Sequence, residues 1–224
     1  ILANYVNYRN YTSKREFFDY IGTIDANIVS LTSAVDDNVI SDARIHTLNQ
    51  WATEYTKEDI ANELSTLSRN GESRNTVLRV IDKPTRLEFL TSIALKQHFV
   101  DLDVRPNYHV DDEGLPTFTA SGGMADIECY DTDCNSLVEV TLMCSRNQAT
   151  NEMPAITRHL QEAIGREPDI TQFSILVAPS IHADTRYMAA FSKHQYNVDI
   201  LTLTINEFVE QLGVNERIIE ILPA

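Results

Sequence analysis

Residues 122–148, "GGMADIECYDTDCNSLVEVTLMCSRNQ", constrain this chain more than any other stretch. "MADIECY" alternates: Ala125, Ile127 and Cys129 fall on one side, and Asp126, Glu128 and Tyr130 on the other. That is the two-residue period of a half-buried strand. "DTDCNS" is turn chemistry. "SLVEVTLM" then alternates again, with Val138, Val140 and Leu142 opposite Leu137, Glu139, Thr141 and Met143. The pattern predicts an antiparallel hairpin with Asp126 and Glu139 in the middle of neighbouring strands. A carboxylate in a half-buried strand costs free energy unless something compensates it. The candidates are a structural partner, a protonated state or a metal ion.

The flanking sequence sets the fold class. After the hairpin, "NQATNEMPAITRHLQEAI" has helical character with a break or kink expected at Pro154. "FSILVAP" is a continuous apolar run, as in a strand covered on both faces. "DTRYMAAFSKHQY" predicts a helix, "VDILTL" a strand and "TINEFVEQLG" a capped final helix. Strands alternating with helices imply an α/β domain with a mixed sheet and helices on its faces. Before the hairpin, "DKPTRLEFLTSIALKQHF" predicts a helix with Pro84 in its first turn and an apolar side of Leu87, Leu90, Ile93, Ala94 and Leu95. "LDVRPNYHV", a turn at "DDEG" and "PTFTA" are extended and irregular. Further upstream the sequence is helical throughout. "SKREFFDYIGTIDANIVSLTSAV" follows a Ser13 cap, "SDARIHTLNQWATEY" begins at another serine, and "TKEDIANELSTLSRNG" runs from Thr56 to Gly71. The expected division is a small all-helical subdomain over residues 1–77 and an α/β domain over residues 78–224.

If Asp126 and Glu139 converge, they repel, and one is pushed towards protonation. A hard divalent cation relieves that repulsion; Mg²⁺ takes one or two carboxylates with other oxygens. The Val140 carbonyl is a further oxygen donor. Glu88 lies on the preceding helix beside Leu87, and Gln148, Glu152 and His159 fall roughly on one face of the following one. An acid, an amide and an imidazole beside two carboxylates make a hydrolytic centre, although each alone is an ordinary solvated helix residue. Arg146 and Arg158 offer planar forks to phosphate, or simply form surface ion pairs.

Composition narrows the partners. The formal charge is −15, and the acidic excess is concentrated after residue 83. A module that held nucleic acid by itself would be basic. Delivery of a catalytic module by something else remains compatible with this charge. Three cysteines, Cys129, Cys134 and Cys144, form no disulfide framework. They fit a reducing intracellular setting, and zinc on the three thiols and a histidine is a weaker alternative because no close C-x-x-C pair occurs. No apolar run is long enough to span a membrane. The chain begins at Ile1 without Met, as expected of a fragment or processed chain with an upstream domain.

"PTRLEFL", "ADIEC", "LVEVTL", "RNQATNE" and "TRHL", in this order and spacing, resemble the cleavage domain of type IIS restriction endonucleases of the AlwI family, a group that includes strand-nicking enzymes and has the PD-(D/E)XK nuclease fold. The resemblance covers about residues 78–224. It implies that Glu88 is the family's helix acid, Asp126 its metal-binding aspartate and Glu139 the acid of its E-V-T motif. Glu152 and His159 then match the acid and histidine of the next helix. Thr141 stands where the wider superfamily has a lysine, so Gln148, Glu152 and His159, or a second metal, must share that lysine's task. Residues 1–77 resemble the linker domain of such enzymes. The implied activity is Mg²⁺-dependent hydrolysis of a phosphodiester in double-stranded DNA, with Mn²⁺ able to substitute. Metal would sit on Asp126, Glu139, the Val140 carbonyl and Glu88, and Arg146, Arg158 and Gln148 would meet phosphate. Further implications are an upstream DNA-recognition domain, a second nuclease subunit or transient dimer, and a bacterial or phage-related cytoplasmic setting. The competing expectation is a nuclease fold whose acid cluster is idle and which serves subunit contact.

Overall fold

The computed structural model describes residues 43–223, so the helix expected from Ser13 lies outside the described residues. Residues 43–54 are helical (α1). Helix α2, Lys57–Ser68, opens on a capping box in which Thr56 and Asp59 satisfy each other's backbone N–H groups. It closes at Asn70, whose φ is +56°. Helix α3, Lys83–His98, starts with Pro84 in its first turn, as the sequence predicts.

The expectation of a single apolar side on α3 needs correction: every residue from Thr85 to Leu95 is buried. Helices α2 and α7 (Ile205–Val214) pack against it, and so does the main sheet. The polar positions that suggest a solvated face are therefore interior. Arg86 turns its guanidinium onto the Ile81 carbonyl at 2.7 Å, and Ser92 donates to the Glu88 carbonyl at 2.8 Å. Each fully buried Leu or Phe contributes about 1.5–3 kcal/mol, so Leu87, Phe89, Leu90 and Leu95 together can carry the cost of interior polar groups.

The main sheet has five strands in the order β1-β4-β5-β6-β7. They are β1 (Asp103–Pro106), β4 (Ile127–Tyr130), β5 (Cys134–Val140), β6 (Thr171–Ala178) and β7 (Asp199–Thr204). Pairs β1/β4 and β4/β5 are antiparallel, and β5/β6 and β6/β7 are parallel. This is the mixed sheet the sequence predicts, and β6 is buried on both faces from Phe173 to Ala178. On one face, Ile127, Val138, Phe173 and Ile175 share a core with α3 and α7, and α2 packs on those two helices. On the other, Leu137 and Leu176 pack against α5 (Met153–Arg166) and α6 (Ala183–Tyr196).

Residues Ala43–Ala224 form one compact unit, and the core crosses residue 77 without a break. Leu48, Trp51 and Leu64 belong to the same cluster as Leu87 and Phe89, and the Trp51 ring meets the Phe89 ring edge-on at 5.1 Å. A small hairpin, β2 (His109–Val110) and β3 (Pro116–Phe118), leans on α1. Its turn needs Gly114: φ is +81°, and a Cβ there would fall on the Thr47 hydroxyl and the Ala43 carbonyl. No helix among the described residues is long and apolar enough to cross a membrane.

Candidate active site

Register brings Asp126 and Glu139 together. Ile127 faces Val138 across β4/β5, so Asp126, one residue before β4, faces Glu139, the penultimate residue of β5. The sequence places both in mid-strand; in fact they stand where the hairpin opens. Each carboxyl grips backbone on the opposite strand. The Asp126 N–H donates to Glu139 Oε2 at 3.3 Å, and the Val140 N–H donates to Asp126 Oδ2 at 2.8 Å. Ile127 and Val138 point into the α3-side core, so the two carboxyl groups turn to the α5 side of the strand ends.

There a cleft of about 580 Å³ opens, bounded by α3, the loop after β3, the end of β5 and α5. Glu88 enters from α3, only 3% exposed, and accepts the Ala120 N–H at 3.0 Å. Burial pushes its carboxyl up to about 8; the Ala120 N–H opposes this and the Glu139 charge adds to it. Asp126 is likewise held well above the usual carboxylate range, by burial first, then by Glu139 and Glu88. Glu152 lies at the junction of α4 (Asn147–Asn151) and α5, and its carboxyl accepts the Thr141 hydroxyl at 3.0 Å. Burial also raises Glu152, and the Thr141 hydrogen bond limits the shift. His159 Nδ1 meets Glu139 Oε1 at 2.9 Å, both residues being 8% exposed.

Five predicted residues, Glu88, Asp126, Glu139, Glu152 and His159, thus line one cleft, together with Val140. Gln148 does not join them. It is 0% exposed, and its amide is spent on the Met143 and Ser180 carbonyls, the His182 N–H and the Thr185 hydroxyl. The helix break at Glu152 explains this, because spacing counted across it does not define one helical face. Arg146 pairs with Asp184 at 2.8 Å and is 80% exposed at its side chain, outside the cleft lining. Arg158 stands at the rim, its Nη2 3.5 Å from His159 Nε2 and its Nε 3.9 Å from Glu162.

Several contacts of the cleft escape sequence reasoning. Thr141 anchors Glu152, and the Ala120 backbone anchors Glu88. Ser121, Gly122, Gly123 and Met124 form one wall, and only the adjacent glycines in the sequence hint at a loop there. The cysteines do not make the alternative zinc site: Cys129 and Cys134 are buried and Cys144 is exposed. Among the described residues, Asp131, Asp133 and Cys134 do form a cluster with ligand atoms within 4.8 Å, at the opposite end of the hairpin. Arg217 already occupies it, donating to both aspartates.

The profile of the AlwI restriction endonuclease family matches residues 15–211. No curated protein matches the chain. Among solved structures, the small subunit of the heterodimeric restriction endonuclease R.BspD6I is similar, with 22% identity and a TM-score of 0.59 over 70% of this chain and 76% of that one. Restriction endonuclease FokI is a more distant likeness, with 12% identity and a TM-score of 0.48, and the matched part spans 32% of FokI. The first of these establishes a restriction-endonuclease fold, and the profile spans most of the sequence. The chain belongs to the AlwI restriction endonuclease family.

Proposed function

We propose that this chain is a divalent-metal-dependent DNA endonuclease of type IIS or nicking character, cutting one strand at the acidic cleft and relying on a separate domain or subunit for sequence recognition. One observation carries the proposal. Three buried or half-buried carboxyl groups, Glu88, Asp126 and Glu152, are all raised in a cleft open to solvent and share it with Glu139; no lysine or arginine lines it among the described residues. Acids arranged against their own charge in a cleft mark a functional site. The donor set is all hard oxygen, which fits Mg²⁺ or Mn²⁺ and not a thiolate metal.

Asp126 and Glu139 would hold the ion, with the Val140 carbonyl and Glu88 as further oxygen donors. Such an ion supplies Lewis-acid polarisation of a phosphoryl oxygen and a lowered water pKa. The side chains would do the rest. Glu139 engages His159 Nδ1, which leaves Nε2 as the nitrogen that accepts a proton, in keeping with the Arg158 guanidinium beside it. Glu152, fixed by Thr141, orients the attacking water. The water oxygen bonds to phosphorus, its proton passes to His159 or Glu152, and the bond to the departing sugar oxygen breaks, that oxygen keeping the electron pair and taking a proton from solvent. Thr141 thus replaces the superfamily lysine by holding an acid in place rather than by offering a cation.

The charge of −15 agrees with affinity supplied elsewhere. Residues 1–77 would form the helical joint to that recognition part, with the portion from residue 43 onward built into the nuclease core. Supercoiled-plasmid nicking by the full-length enzyme tests the assignment. Asp126→Ala and Glu139→Ala should each lower the rate by about two to three decades, roughly 3–4 kcal/mol of barrier. Near-normal Mg²⁺-dependent nicking by either variant would falsify it. Saturable Mg²⁺ or Mn²⁺ binding in calorimetry separates this reading from an idle fold, which should bind neither.

A further inference from the structure

The cleft does not end at its acids. Past His159 it opens into a second chamber of about 410 Å³, which shares Gly123, Met124 and His159 with the first. That volume lies within the range of about 300–1,000 Å³ typical of small-ligand sites. One wall is apolar: Ala125 and Leu137 form its floor, and Met124, 49% exposed, stands on the ridge between the chambers. The other wall is charged, and each of its two carboxylates has a donor of its own. Glu128 accepts the Tyr130 hydroxyl at 3.1 Å, and Glu162 faces Arg158 at 3.9 Å. Arg166 is different. It lines the chamber from the last turn of α5, is exposed, and makes no ion pair or side-chain hydrogen bond among the described residues.

Spacing along α5 connects the two chambers. Arg166 follows His159 by two helical turns on the same face, about 10 Å along the axis at about 1.5 Å per residue. A long side chain at that distance places a phosphate-binding fork beside the acids without neutralising them. Guanidinium groups bind phosphate oxygens in a planar, two-pronged geometry. An apolar shelf next to a lone guanidinium matches one nucleotide, with sugar and base against the shelf and phosphate on the fork.

We propose that the second chamber is a subsite for a nucleotide flanking the scissile phosphate on the same strand. Arg166 holds its phosphate and Met124 supports its sugar. This rests on the nuclease reading of the first chamber and extends it: the substrate is gripped on one side of the cut by the nuclease portion itself, whatever recognises the sequence.

Neutral-linkage scanning tests the subsite. Duplexes carrying one methylphosphonate at a time around the cleavage position are cut by the full-length enzyme, by its Arg166→Ala variant and by Glu139→Ala. On the all-phosphate duplex, Arg166→Ala should lower kcat/KM by about tenfold, equivalent to about 1.4 kcal/mol. One flanking methylphosphonate should lower wild-type kcat/KM by a similar factor and leave Arg166→Ala unmoved, a non-additivity that a merely structural role would not produce. The salt slope of binding should also fall by about 0.7–0.9 in Arg166→Ala. Identical linkage profiles for wild type and Arg166→Ala overturn the subsite, while loss of cutting in Glu139→Ala leaves the nuclease reading intact. A wild type that cuts no duplex with Mg²⁺ or Mn²⁺ overturns both.

Discussion

The hairpin β4–β5 carries acids at both ends, and the two ends treat them in opposite ways. At the turn, Asp131 and Asp133 face Arg217, which donates to both and draws Asp133 below the usual carboxylate range. At the open end, Asp126 and Glu139 meet Glu88 and Glu152, and the basic group they touch is a single imidazole. There the carboxyl groups rise instead of falling. The groups are carboxylates at both ends, and the difference between them comes from the presence or absence of a guanidinium and from depth of burial. A cluster that carries its own counter-charge is finished as a structure. One that lacks it is complete only with a proton or a cation from outside, which is what makes the open end the proposed place for chemistry.

The largest effect expected from breaking this contrast is at the open end. Asp126→Asn removes an ionisable acid from the crowd while keeping an acceptor for the Val140 N–H. Calorimetric divalent-ion affinity should fall at least about 100-fold, and the melting temperature in chelator should rise. A fall in that melting temperature would show that the acids are compensated after all.

A second, intermediate effect is a difference in sign between the two ends. Between the ordinary glutamate value of 4.5 and about 8, native Glu88 keeps a proton that the unfolded chain has released. Its stabilisation is therefore full below the lower value and is lost as pH rises through the upper one. Asp133, lowered by Arg217, behaves oppositely: its contribution is present above 3.8 and lost as pH falls. Melts in chelator from about pH 3 to about pH 9 should show both limbs, with Glu88→Gln flattening the alkaline one. An unchanged alkaline limb in Glu88→Gln would remove that residue from the account. The smallest effect belongs to the turn. Arg217→Ala should lower the melting temperature by a few degrees, flatten the acid limb and leave plasmid nicking near the wild-type rate; lost nicking would mean that the two ends are coupled.

Much of this was legible in the sequence because it depends on local pattern. Alternation predicts β4 and β5, a continuous apolar run predicts β6, and Thr204 with Glu207 forms the capping box that starts α7. Pro154 anticipates the break between α4 and α5. What escaped depends on distant partners. "DTDCNS" reads as a turn, yet Cys134–Ser136 are strand because β6 pairs with them from Thr171 to Phe173. Polar residues on α3 read as a solvated side because nothing local announces that α2, α7 and the sheet enclose it. Gln148 seemed to share a face with Glu152 because spacing takes no account of a bend. The cleft's acids were identifiable as a set, but the contacts that fix them, from the Ala120 N–H and the Thr141 hydroxyl, were visible only once the chain was folded.

Gly114 has a consequence for anyone who would graft this fold onto a DNA-binding protein. The tip of the small hairpin is seated on Ala43 and Thr47, and its outgoing strand leads directly to the amide that tethers Glu88. A graft joined at residue 78 would carry the blade without its hilt, since the part that steadies the cutting edge lies in the segment left behind. The splice belongs upstream of residue 43.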